Sequence, residues 1–222
     1  VDDTPIEEPL PIKQEIPQPS LDPASLEAAT GWVPLSDEAC VEIKTASPFY
    51  LDSNSQTARL ERDLRSEGDT ESADLLREIS CPPQAAWFAN PDAEKMRLLA
   101  EKLTAKANGE GKIPVFALYN GGQTHSFLWA FGNQGQDFLD WYQAVAEGIG
   151  ESEAWIILEP DALGMALSYS PEEKSKRLAE LKEATRILRT TAPNTRVYID
   201  AASSGWWEPH HKAELLKDAG GI

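Results

Sequence analysis

Four short apolar runs recur along the chain, and each is followed by a longer stretch whose apolar residues have helical spacing. Runs rich in β-branched and aromatic residues predict β-strands. Strands and helices that alternate in this way predict a parallel sheet with crossover helices. Nearly continuous apolar runs are typical of strands whose outer face is covered by helices. The four runs are AAWFA (85–89), IPVFALYN (113–120), WIIL (155–158) and TRVYID (195–200).

Start and stop signals predict where the helices begin and end. Asn90 and Pro91 match an N-cap followed by proline at the first helical position, and Gly109 predicts the end of that helix. Ser170-Pro171-Glu172-Glu173 is a capping box that opens another helix. A further helical stretch before the first run is broken near Gly68, and a last helix is predicted around 212–217. The apolar positions that define the other helices are Leu60, Leu64, Leu75, Leu76, Met96, Leu99, Leu103, Phe138, Trp141, Tyr142, Val145, Ile149, Leu178, Leu181 and Leu188.

The number of strand–helix units limits the fold. A closed β/α barrel usually needs about 250 residues and eight units. Only four units fit between residue 85 and the end of this chain. The sequence therefore predicts an α/β fold that is either half to two-thirds of a β/α barrel or an open α/β sheet.

The first 35 residues have a different composition from the rest of the chain. They begin VDDTPIEEPLPIKQEIPQPSLDP, which is rich in proline, Glu and Asp and has neither a helical nor a strand period. Such composition is typical of an extended linker or tail. We therefore predict a tail over residues 1–35 and the α/β domain over residues 36–222.

The net charge of the chain limits the kinds of molecule that it is expected to bind. The chain has 37 acidic and 20 basic residues, for a formal net charge of -17. That field repels nucleic acid and anionic membrane surfaces, and it suits a neutral ligand, a cation or simply high solubility. No apolar run approaches the length of a transmembrane helix. The two cysteines, Cys40 and Cys81, are consistent with one disulfide or with two free thiols.

The ends of the predicted strands carry the candidate chemistry. In parallel α/β folds, functional side chains gather at the carboxyl ends of the strands. Aromatic rings stack on the flat faces of sugars, and carboxylates transfer protons, so this set predicts a polysaccharide-binding cleft. The strand-end residues are Trp87, Tyr119, Asn120, Glu159, Pro160, Asp161 and Asp200, and the loops add His125, Trp129, Trp206 and Trp207.

Five motifs, in order, resemble glycoside hydrolase family 6 over roughly residues 47–222. They are SPFY (47–50), WFAN (87–90), KIPVFALYN (112–120), ILEPDALG (157–164) and TRVYIDAASSGWW (195–207). This family contains cellobiohydrolases and endoglucanases that cut β-1,4-glucan with inversion of configuration. The resemblance implies a distorted, incomplete β/α barrel with its cleft over the strand ends. It also implies a secreted, monomeric enzyme that binds β-glucan or cello-oligosaccharide and needs neither a cofactor nor a metal.

The resemblance assigns a role to five residues. Asp161 matches the general acid that protonates the glycosidic oxygen, and Tyr119 matches the tyrosine that crowds the sugar at the cleavage point. Asp200 matches an aspartate of the cleft floor. Trp87 and Trp206 resemble the tryptophans that stack on sugars on either side of the cleaved bond. Among the neighbouring positions, Asn120 and Ser203 are assigned to substrate binding.

Physical chemistry supports the assignment of Asp161. A general acid must keep its proton near the working pH. A strand-end carboxyl walled by Ile157, Leu163 and aromatic rings loses hydration, which favours its protonated form. Glu159 is predicted to point away from the cleft, because alternate residues of a strand face opposite sides. Pro160 is predicted to fix the turn that presents Asp161.

The sequence departs from the family pattern in three features, which involve four positions. The auxiliary aspartate of the family's Arg-Asp-Cys motif falls on His125, where an imidazolium would favour the ionised form of the acid. The cysteine of that motif falls on Ser126, and its usual disulfide partner falls on Tyr169. A histidine of the cleavage subsite falls on Ser203, which removes a hydrogen-bond donor.

The second carboxyl of the reaction is not among the matched residues. Inverting hydrolysis needs two carboxyl groups about 6.5–9.5 Å apart with water between them. The family's proposed base and its closing strands come later than residue 222. We therefore expect either that the protein continues past Ile222 or that the chain by itself is inactive.

Two other functions are consistent with the same residues. The first is a catalytically degraded relative that keeps the tryptophans and binds carbohydrate without cleaving it. The second is an unrelated α/β enzyme in which Asp161, Asp200 and His125 hold a metal together with His210 and His211. Adjacent histidines point in different directions on a helix, which argues against a joint metal site.

Overall fold

The computed structural model of the protein describes residues 35–121 and 135–221. These residues fall within one unit of the chain, Leu35–Ile222. The tail predicted for residues 1–35 lies almost entirely outside the described residues and stays a prediction. None of the helices in the described part of the chain is both long and apolar enough to cross a membrane.

Four parallel strands form one sheet within the described residues, and they coincide with the four predicted runs. They are β1 (Ala86–Phe88), β2 (Val115–Leu118), β3 (Ala154–Leu158) and β4 (Thr195–Ile199). Their order in the sheet is the order in the chain, and every neighbouring pair is parallel. A barrel adds its strands in one direction, whereas a doubly wound sheet reverses direction at a switch point. The order therefore agrees with a partial β/α barrel.

Helices precede, connect and follow these strands. Before β1 come α1 (Asp37–Ala46), α2 (Gln56–Glu67) and α3 (Thr70–Ser80). The later helices are α4 (Ala93–Gly109), α5 (Gly135–Ile149), α6 (Ala162–Ala166), α7 (Pro171–Thr191) and α8 (Pro209–Asp218). The predicted break lies at Gly68, which ends α2 in the left-handed conformation with a φ of 88°. The predicted capping box at Ser170 opens α7.

Two helix starts differ from the predictions. The helix after β1 begins at Ala93 and is capped by Asp92, whose side chain accepts a hydrogen bond from Lys95 N at 3.1 Å. Asn90 instead accepts a hydrogen bond from Asp92 N at 2.9 Å and forms the turn that leads into the helix. The prediction of Asn90 as the N-cap was therefore wrong. Helix α1 was not predicted, because none of its residues is buried and its apolar pattern is weak.

The core lies between the sheet and the helices on one of its faces. Phe88, Leu118 and Leu158 are aligned across three strands and are all fully buried. Helix α5 packs against α4 and α7 in this layer. On the opposite face, Trp87 and Tyr198 are exposed. All five apolar residues predicted for one face of α5 are buried: Phe138, Trp141, Tyr142, Val145 and Ile149.

A disulfide joins the helices that precede the sheet. Cys40 in α1 pairs with Cys81, the residue after α3, and their Cα atoms are 5.3 Å apart. That separation lies in the usual range for a disulfide. The structure therefore decides between the two alternatives that the sequence left open. The bond attaches α1, which buries none of its residues, to the rest of the domain.

Candidate active site

The polar residues at the strand ends lie side by side because backbone hydrogen bonds continue past the strands. Tyr119 N donates to the carbonyl oxygen of Phe88 at 2.9 Å, and Glu159 N donates to that of Leu118 at 2.8 Å. Asp200 N donates to the carbonyl oxygen of Leu158 at 3.2 Å. The structure thus brings the predicted residues of three neighbouring strands to one edge of the sheet.

The turn that presents Asp161 has an unusual backbone. Among the described residues, the only non-glycine residues with positive φ are Glu159 (48°), Asp161 (68°) and Ala202 (60°). Such conformations cost about 1–3 kcal/mol each and concentrate at functional sites. All three lie at the carboxyl ends of β3 and β4. This clustering marks the strand ends as the candidate site on backbone geometry alone.

Asp200 supports both strained turns. Its Oδ1 accepts hydrogen bonds from Asp161 N and from Ala202 N, each at 2.8 Å. Asp161 stands at the N-cap of α6, but its half-buried side chain makes no capping hydrogen bond. The backbone of Asp161 is therefore fixed by Asp200, while its carboxyl group takes no part in ending the helix.

An aromatic wall lies on the β1 and β2 side of this turn. The side chain of Trp87 is 62% exposed, and its ring centroid is 6.1 Å from that of Tyr119 with an edge-to-face geometry. Burial raises the pKa of Tyr119, and the negative charges of Glu159 and Asp161 raise it further. The Tyr119 phenol is consequently neutral at ordinary pH and close enough to Asp161 to sense its charge.

A second aromatic surface lies beside α6. The side chain of Trp206 is 48% exposed. A Cβ atom added to Gly164 would meet Trp206 Cε3 at 2.8 Å and Ala202 Cβ at 2.6 Å, so only glycine fits beneath this ring. Trp207 Nε1 donates to the carbonyl oxygen of Gly164 at 2.9 Å, which holds the Trp206–Trp207 segment against the helix.

Ser203 forms part of the turn that carries Trp206. Its carbonyl oxygen accepts hydrogen bonds from Trp206 N at 3.2 Å and from Lys212 Nζ. Its hydroxyl oxygen accepts a hydrogen bond from Gly205 N at 3.4 Å. The side chain is exposed. The contacts thus explain how Ser203 shapes the turn, and the substrate-binding role assigned to it stays a prediction.

Asn120 carries a buried amide with no partner among the described residues. Only 3% of the residue is exposed, and neither Oδ1 nor Nδ2 makes a hydrogen bond there. Leaving a buried polar group unpaired costs about 1–3 kcal/mol, and such groups are rare in folded proteins. An unpaired amide beside Tyr119, at the strand end, is consistent with the predicted contact to substrate.

Sequence reasoning missed the group that holds this edge together. The carboxylate of Glu159 is 1% exposed and lies on the helix-covered side of the sheet, against α5 and α7. It points away from the cleft as predicted, but strand alternation is not the reason, since Leu158 before it is also fully buried. The positive φ of Glu159 breaks the alternation. No local signal marks its partners, because the side chains that bind it come from other helices.

Some predicted residues are not placed by the structure. His125, Ser126 and Trp129 lie outside the described residues. Tyr169, at the position of the family's cysteine, is half-buried, and burial raises its pKa. Cys40 and Cys81 form a different disulfide from the family's, as expected.

The metal-site alternative gains no support from the described part of the chain. There, no three His, Cys, Asp or Glu side chains are grouped so that they could hold a metal ion. His210 and His211 are exposed, and their rings contact each other in a tilted arrangement with centroids 3.9 Å apart.

A cavity of about 620 Å³ lies near the aromatic wall, between α2, β1 and α4. Its lining includes Trp87 but neither Tyr119 nor Asp161. The cavity therefore neighbours the candidate site without including Asp161.

Comparison with known proteins identifies the class. The sequence profile of Glycosyl hydrolases family 6 matches residues 44–221. The protein belongs to this family of glycoside hydrolases. It is 31% identical over 209 residues to Endoglucanase 1 of Streptomyces halstedii, an alignment that covers 88% of this chain and 63% of that protein. It is 27% identical over 186 residues to Endoglucanase A of Thermobispora bispora, an alignment that covers 78% of this chain and 38% of that protein.

Solved structures agree with the family and the fold. An endoglucanase from Mycobacterium tuberculosis, in complex with methyl-cellobiosyl-4-deoxy-4-thio-β-D-cellobioside, matches with a TM-score of 0.69 and 30% identity. The match covers 80% of this chain and 60% of that structure. An endoglucanase from Humicola insolens matches at 20% identity and a TM-score of 0.58, which supports the fold alone. The chain thus spans about 60% of the length of the Streptomyces halstedii and Mycobacterium tuberculosis endoglucanases.

Proposed function

We propose that the protein hydrolyses β-1,4-glucosidic bonds in cellulose or a related β-glucan with inversion of configuration, using Asp161 as the general acid. Family membership and relatives named endoglucanases support this proposal. One observation carries it above the others. Asp161 stands in a strained turn fixed by Asp200, with its carboxyl not used for capping. The aromatic surfaces of Trp87 and Trp206 are exposed in the same structure.

The reaction assigns a role to each residue of the edge. The bond between the anomeric carbon and the leaving oxygen breaks while Asp161 transfers its proton to that oxygen. Water attacks the anomeric carbon from the opposite face, and a second carboxylate takes its proton. Because the chain covers 63% of Endoglucanase 1 of Streptomyces halstedii and 60% of the Mycobacterium tuberculosis endoglucanase, the activity is proposed for the whole protein. Asp200 has a positioning role, since its Oδ1 already accepts two backbone hydrogen bonds.

Substrate binding is assigned to the aromatic and amide groups. Trp87 and Trp206 stack on sugar rings, and the neutral phenol of Tyr119 crowds the sugar at the cleavage point. Asn120 pairs its buried amide with a sugar hydroxyl. Nothing in the described residues favours the binding-only alternative, and the matched relatives are named as enzymes.

We further propose that the protein is secreted and acts as a monomer. The disulfide between Cys40 and Cys81 supports secretion, because disulfides persist mainly in oxidising compartments. An insoluble or polymeric substrate also requires an enzyme outside the cell. Detection of the intact protein in culture medium rather than in cell lysate would test the location.

The activity test is reducing-sugar release from carboxymethylcellulose by the full-length protein. Asp161→Asn removes the proton donor and is expected to lower kcat by about 100-fold or more. Asp63→Asn is the matched control, because Asp63 is an exposed carboxylate on α2. Equal sugar release by the wild type and Asp161→Asn would show that another group is the acid.

A further inference from the structure

The carboxylate of Glu159 is bound by four donors in a buried site. Its Oε1 accepts hydrogen bonds from Asn120 N at 2.7 Å, Gly121 N at 2.8 Å and Tyr142 Oη at 2.7 Å. Its Oε2 pairs with Arg177 Nη2 at 2.6 Å. A buried charge persists only when it is paired and hydrogen-bonded, and this carboxylate satisfies both requirements.

Arg177 is confined as closely as its partner. Its guanidinium lies 5.0 Å from the ring centroid of Phe138 and directly against the backbone of Gly121. A Cβ atom at Gly121 would overlap the guanidinium, so any other residue there would displace Arg177 from this position. Burial is the largest single influence on the pKa of Arg177 and lowers it, but Glu159, Tyr142 and Glu180 together outweigh burial and raise the pKa above its ordinary value. Arg177 therefore keeps its positive charge beside the Glu159 carboxylate.

The pair also connects the elements on both sides of the cleft edge. Asn120 and Gly121 belong to the end of β2, whereas Glu159 is two residues from Asp161 at the end of β3. Arg177 also lies 3.6 Å from Glu180 Oε2, and Glu180 Oε1 accepts a hydrogen bond from the first residue of α5 at 3.1 Å. One cluster thus ties two strand ends to α5 and α7.

We propose that Glu159, held by Arg177, is a positioning residue that sets the Tyr119–Asn120 segment against the turn of Asp161. Neither side chain touches the reacting atoms, since both lie on the helix-covered side. The inference rests on the proposed function for its consequence for catalysis. Buried ion pairs are poor stabilisers compared with apolar residues of similar size, so stability alone is a weak reason for this one. Its backbone partners, Asn120 and Gly121, directly follow Tyr119 at the end of β2.

The main test is Glu159→Gln in the full-length protein. The carboxamide oxygen can still accept from Asn120 N and Gly121 N, but the amide nitrogen then faces the donors of Arg177. We expect kcat to fall about 10- to 100-fold while KM changes by less than about threefold, because small misplacements of reacting groups act mainly on the chemical step.

Glu183→Gln is the matched control. Glu183 also lies on α7 and pairs with an arginine, Arg186, at 2.6 Å, but this pair is exposed and far along the helix from the cleft. Its loss is expected to leave kcat and KM unchanged.

Tyr142→Phe tests the same cluster without unpairing Arg177. It keeps the buried ring and removes one donor to Glu159. We expect kcat to fall about two- to fivefold with an unchanged near-ultraviolet circular dichroism spectrum. If Glu159→Gln fails to fold, this variant still decides the question.

Backbone amide NMR shifts separate this inference from the proposed function. In Tyr142→Phe and Glu159→Gln, the amides of Asn120, Gly121 and Asp161 are expected to shift together, and in Glu183→Gln they are not. If kcat per folded molecule stays at the wild-type value, or if the Asp161 amide does not move, the positioning role is wrong. If the wild type releases no sugar, the proposed function is wrong, and the amide shifts still test the positioning.

Discussion

The turn at Pro160 carries a carboxyl group on each side, and the two groups differ in burial and in hydrogen bonding. On the helix-covered side, Glu159 is fully buried, bound by four donors and paired with Arg177. On the cleft side, Asp161 is half-buried, and its side chain does not cap the helix that it precedes. Two carboxyls two residues apart thus have different tasks: Glu159 has a structural one, and Asp161 has a chemical one in the proposed reaction. The environment, and not the residue type, separates these tasks.

The comparison also explains the backbone of the turn. Both Glu159 and Asp161 have positive φ, and only a strongly held frame keeps such conformations populated. Glu159 is held through its side chain, whereas Asp161 is held through its backbone N–H by Asp200. The carboxyl of Asp161 therefore needs no structural bond of its own.

Asp161→Asn tests whether Asp161 acts in the reaction and not in the fold, and it has the largest expected effect on activity. It should lower kcat by about 100-fold or more, as in the proposed reaction, while the urea midpoint of unfolding stays near the wild-type value. The reason is that no hydrogen bond that caps α6 is lost. A large loss of stability in this variant would mean that Asp161 is also a structural residue.

Glu159→Ala should, in contrast, mainly lower the free energy of unfolding. Breaking a buried ion pair by removing one partner leaves an uncompensated charge, and the expected loss in free energy of unfolding is about 3–5 kcal/mol. Urea denaturation measures this loss, and Glu183→Ala on the exposed pair of α7 is the control. If both variants are equally stable, the burial of the Arg177 pair is not what holds the turn.

Trp87→Ala tests the cleft side with a smaller effect. Burying an exposed large side chain against a ligand contributes about 1.5–3 kcal/mol, so its loss should weaken cello-oligosaccharide binding by about tenfold or more. Tryptophan fluorescence or calorimetry measures the dissociation constant. Leu98→Ala, an exposed apolar residue on α4, should leave it unchanged. Equal affinities of the wild type and Trp87→Ala would exclude stacking on this ring.

The smallest expected effect is on the free energy of unfolding at high pH, through the buried phenol of Tyr142. Burial, and then the charge of Glu159, raises the pKa of Tyr142 well above its ordinary value of 10.0. The folded state therefore keeps this proton when the unfolded state loses it, and the stability from the neutral phenol is lost as pH rises above 10. The free energy of unfolding should fall there, and less steeply in Tyr142→Phe. Identical pH profiles for both proteins would contradict the burial of an un-ionised phenol.

Local patterns predicted most of the elements, and they failed where two nearby residues satisfy the same rule or where the contacts are distant in the chain. The four apolar runs became the four strands, and the apolar face of α5 became core. Asn90 was mistaken for a cap because Asp92 satisfies the same local rule two residues later. Helix α1 was not predicted because it lies on the surface and is held by a disulfide, so its sequence lacks the apolar stripe by which helices are recognised. For the candidate site, the motif that contains Asp161 was visible, but the support from Asp200 to its backbone was not.

The sequence by itself determined the alternation of strands and helices, the family, and the residues that stand at the strand ends. These depend on short-range periodicity and on motifs that are contiguous in the chain. Only the tertiary structure decided that Cys40 and Cys81 pair, and that Glu159 is buried with Tyr142 and Arg177. Those contacts join residues 17 to 41 positions apart. The contacts of Glu159 are strong because water is excluded around them, and the disulfide requires the two Cα atoms to be 5.3 Å apart. Both conditions exist only after the helices have packed.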